Sequence, residues 1–215
     1  MKMFKSERFK DDVKYDLLVQ PLTCKLDFFA MKPKQAKENF EWWVSNIPTR
    51  IEYLINRCSK DLGVSSEKFD FSPESLKLLW KWFLQTMRVE KTPEEEIAEQ
   101  IEKYGHFGES MISRMRLTLT TEYIICDIAM YLSEVFTRKY KNIKWSYYTK
   151  PKRDMFVNQP LLEGFVDIID DQPYDDVFPP IHMVGVQAVR LFDSRQKETD
   201  LYDLFKTWED WIPII

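Results

Sequence analysis

Apolar residues recur every three or four positions through most of the chain, the spacing of helices that bury one face. Pro33 fits the first turn of a helix running to about Ile47, with Ala36, Phe40, Trp43 and Ile47 on one side. Pro48 is expected to end or kink it, because proline lacks the N–H that bonds one turn back. A second stripe, Ile51, Leu54, Ile55, Cys58 and Leu62, predicts a helix over Thr49 to Leu62, with Gly63 just past its end. Ser72-Pro73-Glu74 offers a capping hydroxyl, a first-turn proline and an acid. The helix it opens places Leu76, Leu79, Trp80, Phe83 and Met87 on one face. Thr92-Pro93-Glu94-Glu95 reads as a capping box before a short acidic helix to about Tyr104, with Gly105 and Gly108 flanking a break. Leu119 to Tyr140 is apolar around most of its circumference and predicts a long helix in the middle of the fold.

Period-two alternation is confined to one region. Ile143, Trp145 and Tyr147 share a face of a strand over Ile143 to Thr149. Lys150 to Asp154 reads as a turn, and Met155 to Gln159 as a returning strand stopped by Pro160. Pro180 to Phe192 and Thr199 to Asp210 return to helical spacing. Leu17 to Val19 and Asp27 to Ala30 are expected as short extended pieces around Pro21. The resulting class is α+β, mostly helical, with one small antiparallel sheet packed on a long central helix. Residues 1–66 would hold the N-terminal extended segments and a helical pair, and residues 67–215 the main core, unless the two form one continuous domain.

Composition narrows the chemistry. With 44% hydrophobic and 31% charged residues, the chain reads as soluble and globular. Only 5 of 215 residues are glycine, against 15 Phe, 10 Tyr and 7 Trp, which disfavours glycine-rich phosphate loops and glycine-turned sandwiches. Cys24, Cys58 and Cys126 are odd in number and far apart with no CxxC pair; Cys58 and Cys126 sit in apolar helical patterns and are expected as buried free thiols, which points to a reducing compartment. Met1 to Asp12 lacks the apolar run of a signal peptide, and the longest uncharged run, Val177 to Val189, is too short to span a bilayer. A cytoplasmic protein is expected.

The net charge of -4 gives no global pull toward nucleic acid, but charge is locally segregated. Six glutamates lie in Glu90 to Glu102, six basic residues in Lys139 to Arg153, and five aspartates in Asp167 to Asp176. Interleaving of the basic run with Trp145, Tyr147 and Tyr148 has the composition of a nucleic-acid platform. The alternation that exposes Lys144 would bury Trp145 and Tyr147, however, and the neighbouring aspartate loop could neutralise the patch within the same molecule. Nucleic-acid binding is therefore not expected.

Candidate chemistry concentrates on the long helix. Arg116, Thr120, Tyr123, Asp127, Tyr131, Glu134, Arg138 and Lys141 fall within about 40° of one direction. Tyr123, Asp127, Tyr131, Glu134 and Arg138 could line a ligand pocket, or the line could be a solvent-facing seam with a Glu134–Arg138 pair. Asp127 and Glu134 stand about 10.5 Å apart along the axis, too far for a shared proton. Glu122 lies near the opposite side, where a Lys or Arg from another helix is expected beside it. His106 reads as a loop residue and His182 as a packed or capping one; no ligand spacing supports a metal, and no cofactor motif is present. Trp42 and Trp82 fall off their helix stripes and Trp211 lies in an apolar tail, making the three candidate interface anchors.

Phe69-Asp70-Phe71-Ser72-Pro73-Glu74-Ser75-Leu76, then Tyr131-Leu132-Ser133-Glu134 and Lys144-Trp145, form a pattern over residues 69 to 192. It resembles small uncharacterised bacterial proteins in which such a helix precedes a central helix and a Trp-bearing strand, with Ser133 standing where that pattern has glycine. Those proteins have no established activity to carry over, and some resemble immunity or accessory proteins encoded beside toxins, which tilts the expectation toward an interaction role. The leading expectation is a non-enzymatic interaction protein that meets a basic protein partner through acidic surfaces. The alternative is a small-molecule-binding protein or enzyme with a pocket around Asp127 and Glu134.

Overall fold

In the computed structural model, which describes residues 9, 12–20, 28–109, 113–169, 172–190 and 196–213, the chain is α+β, with six α-helices and two small antiparallel sheets. Cys24 and the side chain of His106 lie outside the described residues.

Helix α1 runs unbroken over Pro33–Leu62, across the proline expected to divide it. Pro48 is exposed, while Trp43, Ile47, Ile51, Leu54 and Cys58 continue one buried stripe on both sides of it. An interior proline costs about 3 kcal/mol, and burying Ile47 and Ile51 on a shared face returns about 1.5–3 kcal/mol each. Packing therefore holds the two halves in one register. Six residues before the proline, the Trp42 carbonyl accepts from Ser45 Oγ and Asn46 Nδ2. Gly63, at φ 64, closes the helix.

Helix α2 is Ser75–Thr86. Its first turn is built by bonds from Ser75, Leu76 and Lys77 N–H to the carbonyls of Ser72, Pro73 and Glu74; the N-cap position is Glu74, which makes no side-chain cap bond, and the Asp70 carboxylate accepts the Ser72 N–H. Strand β1, Val89–Lys91, pairs with β2, Met115–Leu117, a second sheet too short to show alternation in sequence. Between them lies α3, Glu94–Glu109, which breaks at Gly105 with φ 66. The Thr92 hydroxyl donates to the Ser113 carbonyl, tying the two ends of this excursion together.

Helix α4, Leu119–Lys139, is the central element, with Thr118 Oγ1 accepting the Thr121 N–H at its start. The larger sheet has the order β3, Lys144–Ser146; β4, Leu161–Ile169; and β5, Gln172–Phe178. The returning strand thus begins after Pro160. Residues 155–159 are turns held by Asp154 Oδ1, which accepts the Phe156 N–H, and by Asn158 Nδ2 on the Phe28 carbonyl. Of the aspartate-rich segment, expected as a loop, Asp167 lies in β4 and Asp175 and Asp176 in β5, paired with Tyr174, Val166 and Phe165. The carboxylates of Asp167 and Asp176 accept the N–H of the next residue in line. Gly164 (φ 108) sits at the bulge of β4, where a Cβ would stand 2.5 Å from the Asn142 carbonyl oxygen. Helices α5, Pro180–Val189, and α6, Asp200–Glu209, complete the fold close to the expected bounds.

One buried cluster joins the stripe of α1 to α2, α4, the larger sheet and α6. At its centre Phe136 of α4 contacts the rings of Phe165, Phe178 and Phe205, and Trp208 closes on Phe165 and Phe178. Beyond α6 the Trp211 carbonyl accepts the Val166 N–H at 2.7 Å, docking the tail on β4.

Candidate groove between α1 and α4

The polar line of α4 faces α1, and packing divides it into three environments. Asp127 is fully buried. Arg50 of α1 grips its carboxylate with two bonds, Nε at 3.0 Å and Nη2 at 2.6 Å, and the Tyr15 hydroxyl donates at 2.5 Å. The same Nη2 reaches the Asp16 carbonyl, and the Tyr53 hydroxyl accepts the Asp16 N–H, so the extended segment 12–20 is strapped across α1. Burial pushes the Asp127 carboxyl above its ordinary range, against the pull of Arg50 and Tyr15; burial also lifts the Tyr15 phenol. Every Asp127 oxygen is committed. The carboxylate is a structural anchor, and a pocket centred on it is corrected.

Tyr131 is also fully buried, its hydroxyl sharing a 2.8 Å bond with Ser75 Oγ and accepting the Phe71 N–H at 3.2 Å. Burial pushes that phenol up to about 12. Tyr123 lines a separate, small apolar cavity of about 110 Å³ with Trp42, Trp43, Phe28 and Ile181. Of the five candidates, only Glu134 and Arg138 reach an open site together.

That site is a groove of about 670 Å³. Val44, Ile47, Ile51 and Ile55 of α1 form one apolar wall, and Phe71 and Trp145 face them from the other elements. Four charged side chains line it: Glu52, Glu67, Glu134 and Arg138. Arg138 Nε lies 3.1 Å from Glu134 Oε2, and its guanidinium carbon sits 3.5 Å from the centre of the Phe71 ring. The Phe71 ring in turn stacks on Tyr131 at 4.8 Å. Phe71 has φ 61, a left-handed conformation that is strained for a bulky residue. Glu52 and Glu67 are exposed and form no ion pair among the described residues. With Arg138 matched by Glu134, the groove is apolar with an excess of negative charge.

Several expected features take other roles. Trp82 is fully buried at the α1–α2 contact, its indole N–H donating to Asp61 Oδ2 at 2.9 Å, so it is no surface anchor. Trp42 is half-buried against the small cavity, and Trp211 is half-buried against Trp208 at 4.7 Å. In the basic segment Tyr147 stacks on Phe40, the Tyr148 hydroxyl donates to Asp154, and Trp145 meets Trp43 edge-on, so the rings a base would need are occupied. Lys150, Lys152 and Arg153 are exposed without ion pairs among the described residues. Glu90 and Glu96 of the acidic run both clamp Arg116. Glu122 is exposed beside that cluster rather than buried against a cation from another helix. His182 is exposed, its ring centre 5.2 Å from that of Phe156 in an edge-on arrangement. Burial raises both described thiols, Cys126 to about 12, which keeps them protonated.

Sequence reasoning passed over Arg50, Glu52, Glu67 and Phe71. Arg50 carried a signal: it occupies the stripe Trp43, Ile47, Arg50, Leu54, where a charge inside an apolar face announces a buried partner. No group of three metal-ligating side chains occurs among the described residues, and no helix among them is long and apolar enough to cross a membrane. No family model, no curated protein and no solved structure matches the chain.

Proposed function

We propose that this chain is a non-enzymatic protein-interaction protein that holds a basic, apolar-flanked segment of a partner in the α1–α4 groove. The observation that carries the reading is the pairing of an apolar floor with unneutralised carboxylates, Glu52 and Glu67, at its edge. Apolar floors supply affinity through area removed from water, and rim charges select the sign of the partner and speed encounter. Within this class, an immunity-type or accessory role is the one implied by the resemblance of residues 69 to 192.

The test uses two synthetic peptides, acetyl-Leu-Arg-Ile-Lys-Leu-amide and its Glu-for-Arg/Lys counterpart, titrated against the full chain and followed by tryptophan fluorescence. The basic peptide should bind, weaken between about 50 and 500 mM salt, and weaken again in Glu52→Gln/Glu67→Gln. Equal binding of the acidic peptide, or indifference to salt, would sink the reading.

A further inference from the structure

We propose that Arg138 is an internal stand-in for the partner's cation, and that Phe71 and Glu134 form the subsite it vacates when the partner binds. The inference rests on the groove reading above and names the chemistry at its centre. An aromatic face and a carboxylate within reach of one another are the two elements by which a protein holds a guanidinium or ammonium group. Here both are already filled by one side chain of the same molecule: Arg138 lies 3.5 Å over the Phe71 ring and 3.1 Å from the Glu134 carboxylate.

The two sides of the Phe71 ring differ in how firmly they are held. Behind it stands Tyr131, fully buried, stacked at 4.8 Å and 17°, with its hydroxyl fixed by Ser75 and by the Phe71 N–H itself. That bond helps hold the backbone at φ 61, so the ring cannot retreat without losing both the stack and the hydrogen bond. In front stands Arg138, whose side chain is 55% exposed and sits in the last turn of α4. The wall is fixed and its cover is free to swing on a flexible stem into water. An incoming Arg or Lys side chain would take the same ring face and the same carboxylate, leaving the charge balance at that end of the groove unchanged. Glu52 and Glu67 line the remainder of the groove and remain available to a second basic residue of the same segment.

Displacement costs the partner one i,i+4 ion pair and one exposed cation–π contact, so removing Arg138 should tighten binding by about fivefold. The experiment titrates the basic peptide above into the full chain and into Arg138→Ala, Arg138→Gln, Glu134→Gln and Lys141→Ala. Lys141 is exposed just beyond the same helix and outside the groove, and its variant removes the same charge. Arg138→Ala and Arg138→Gln should both bind about fivefold more tightly, Glu134→Gln more weakly, and Lys141→Ala as the parent does. Binding that weakens on loss of Arg138 would make it a fixed wall of the groove, and a gain matched by Lys141→Ala would reduce the effect to general charge. Either result overturns the stand-in role and leaves the groove reading intact. Failure of the peptide to bind any of the chains overturns both.

Discussion

Removing either member of the Arg50–Asp127 pair should be costly, and removing both should not be. Asp127→Leu leaves the Arg50 guanidinium, 8% exposed, with no carboxylate, the Asp16 carbonyl as its remaining hydrogen-bond acceptor and the rings of Tyr15 and Tyr53 beside it. Stranding a buried charge costs about 3–5 kcal/mol, or roughly 6–20 °C of melting temperature for a chain of this size. Arg50→Met strands the carboxylate instead, with Tyr15 its one remaining hydrogen-bond donor. That group can escape by taking up a proton. Burial already raises the Asp127 carboxyl, and loss of the cation raises it further. A carboxyl whose folded pKa lies above its unfolded value, about 3.9, stabilises the fold below that value and loses the contribution as pH rises through the folded pKa. Arg50→Met should therefore be less destabilised near pH 4 than at neutrality, and Asp127→Leu should show no such relief. In Asp127→Leu/Arg50→Met no charge remains to be stranded. What persists is the unpaired Tyr15 hydroxyl and Asp16 carbonyl, each about 1–3 kcal/mol if left dry, offset by better apolar packing. The double variant should lie within about 3 kcal/mol of the parent, although the two single losses sum to about 6–10 kcal/mol. Urea unfolding at two pH values gives all four numbers. Additive losses, or an Arg50→Met variant indifferent to pH, would refute the account of the triad as a buried ion pair.

Other consequences follow from single contacts. Burial alone would raise the Glu209 carboxyl, but bonds from Lys139, Lys206 and Tyr140 outweigh it and hold it down to about 2. That depressed acid stabilises the fold above its unfolded pKa of about 4.3 and is lost as pH falls toward 2. Glu209→Gln should thus lower stability at neutral pH and flatten the decline between those values in a pH series of melting temperatures. Pro48→Ala restores an N–H to the interior of α1 at an exposed position and should stabilise by up to about 3 kcal/mol, read by urea midpoint; a loss would mean that the proline shapes the packing of α1. Gly164→Ala drives a methyl against the Asn142 carbonyl at φ 108 and should cost about 2 kcal/mol or more, whereas Gly105→Ala, with open space around it, should cost only its strained φ.

What was legible in the sequence was the part set by periodicity over long stretches. The stripe of α6, the all-round apolarity of α4 and the paired stripes of α1 each repeat over several turns, and each appears where the pattern puts it. The misreadings share a cause: a local preference was overruled by contacts distant in sequence. Pro48 is a helix breaker only if the halves it separates are free to part, and here they bury one stripe against the same neighbours. The aspartates of β5 are poor strand formers on propensity, but pairing with β4 supplies the ladder and their carboxylates accept neighbouring N–H groups. The groove shows the same limit. A helical wheel put Tyr123, Asp127, Tyr131, Glu134 and Arg138 on one line, and the line is real, but a wheel cannot say what lies opposite. Opposite Asp127 stands Arg50, 77 positions earlier, which turns a candidate acid into a sealed anchor. Opposite Arg138 stands Phe71, held by a backbone angle that no residue pattern encodes. The proposed function depends on which of those polar residues the packing left uncovered. The two that remain open, Glu134 and Arg138, are the two that share the groove with Glu52 and Glu67.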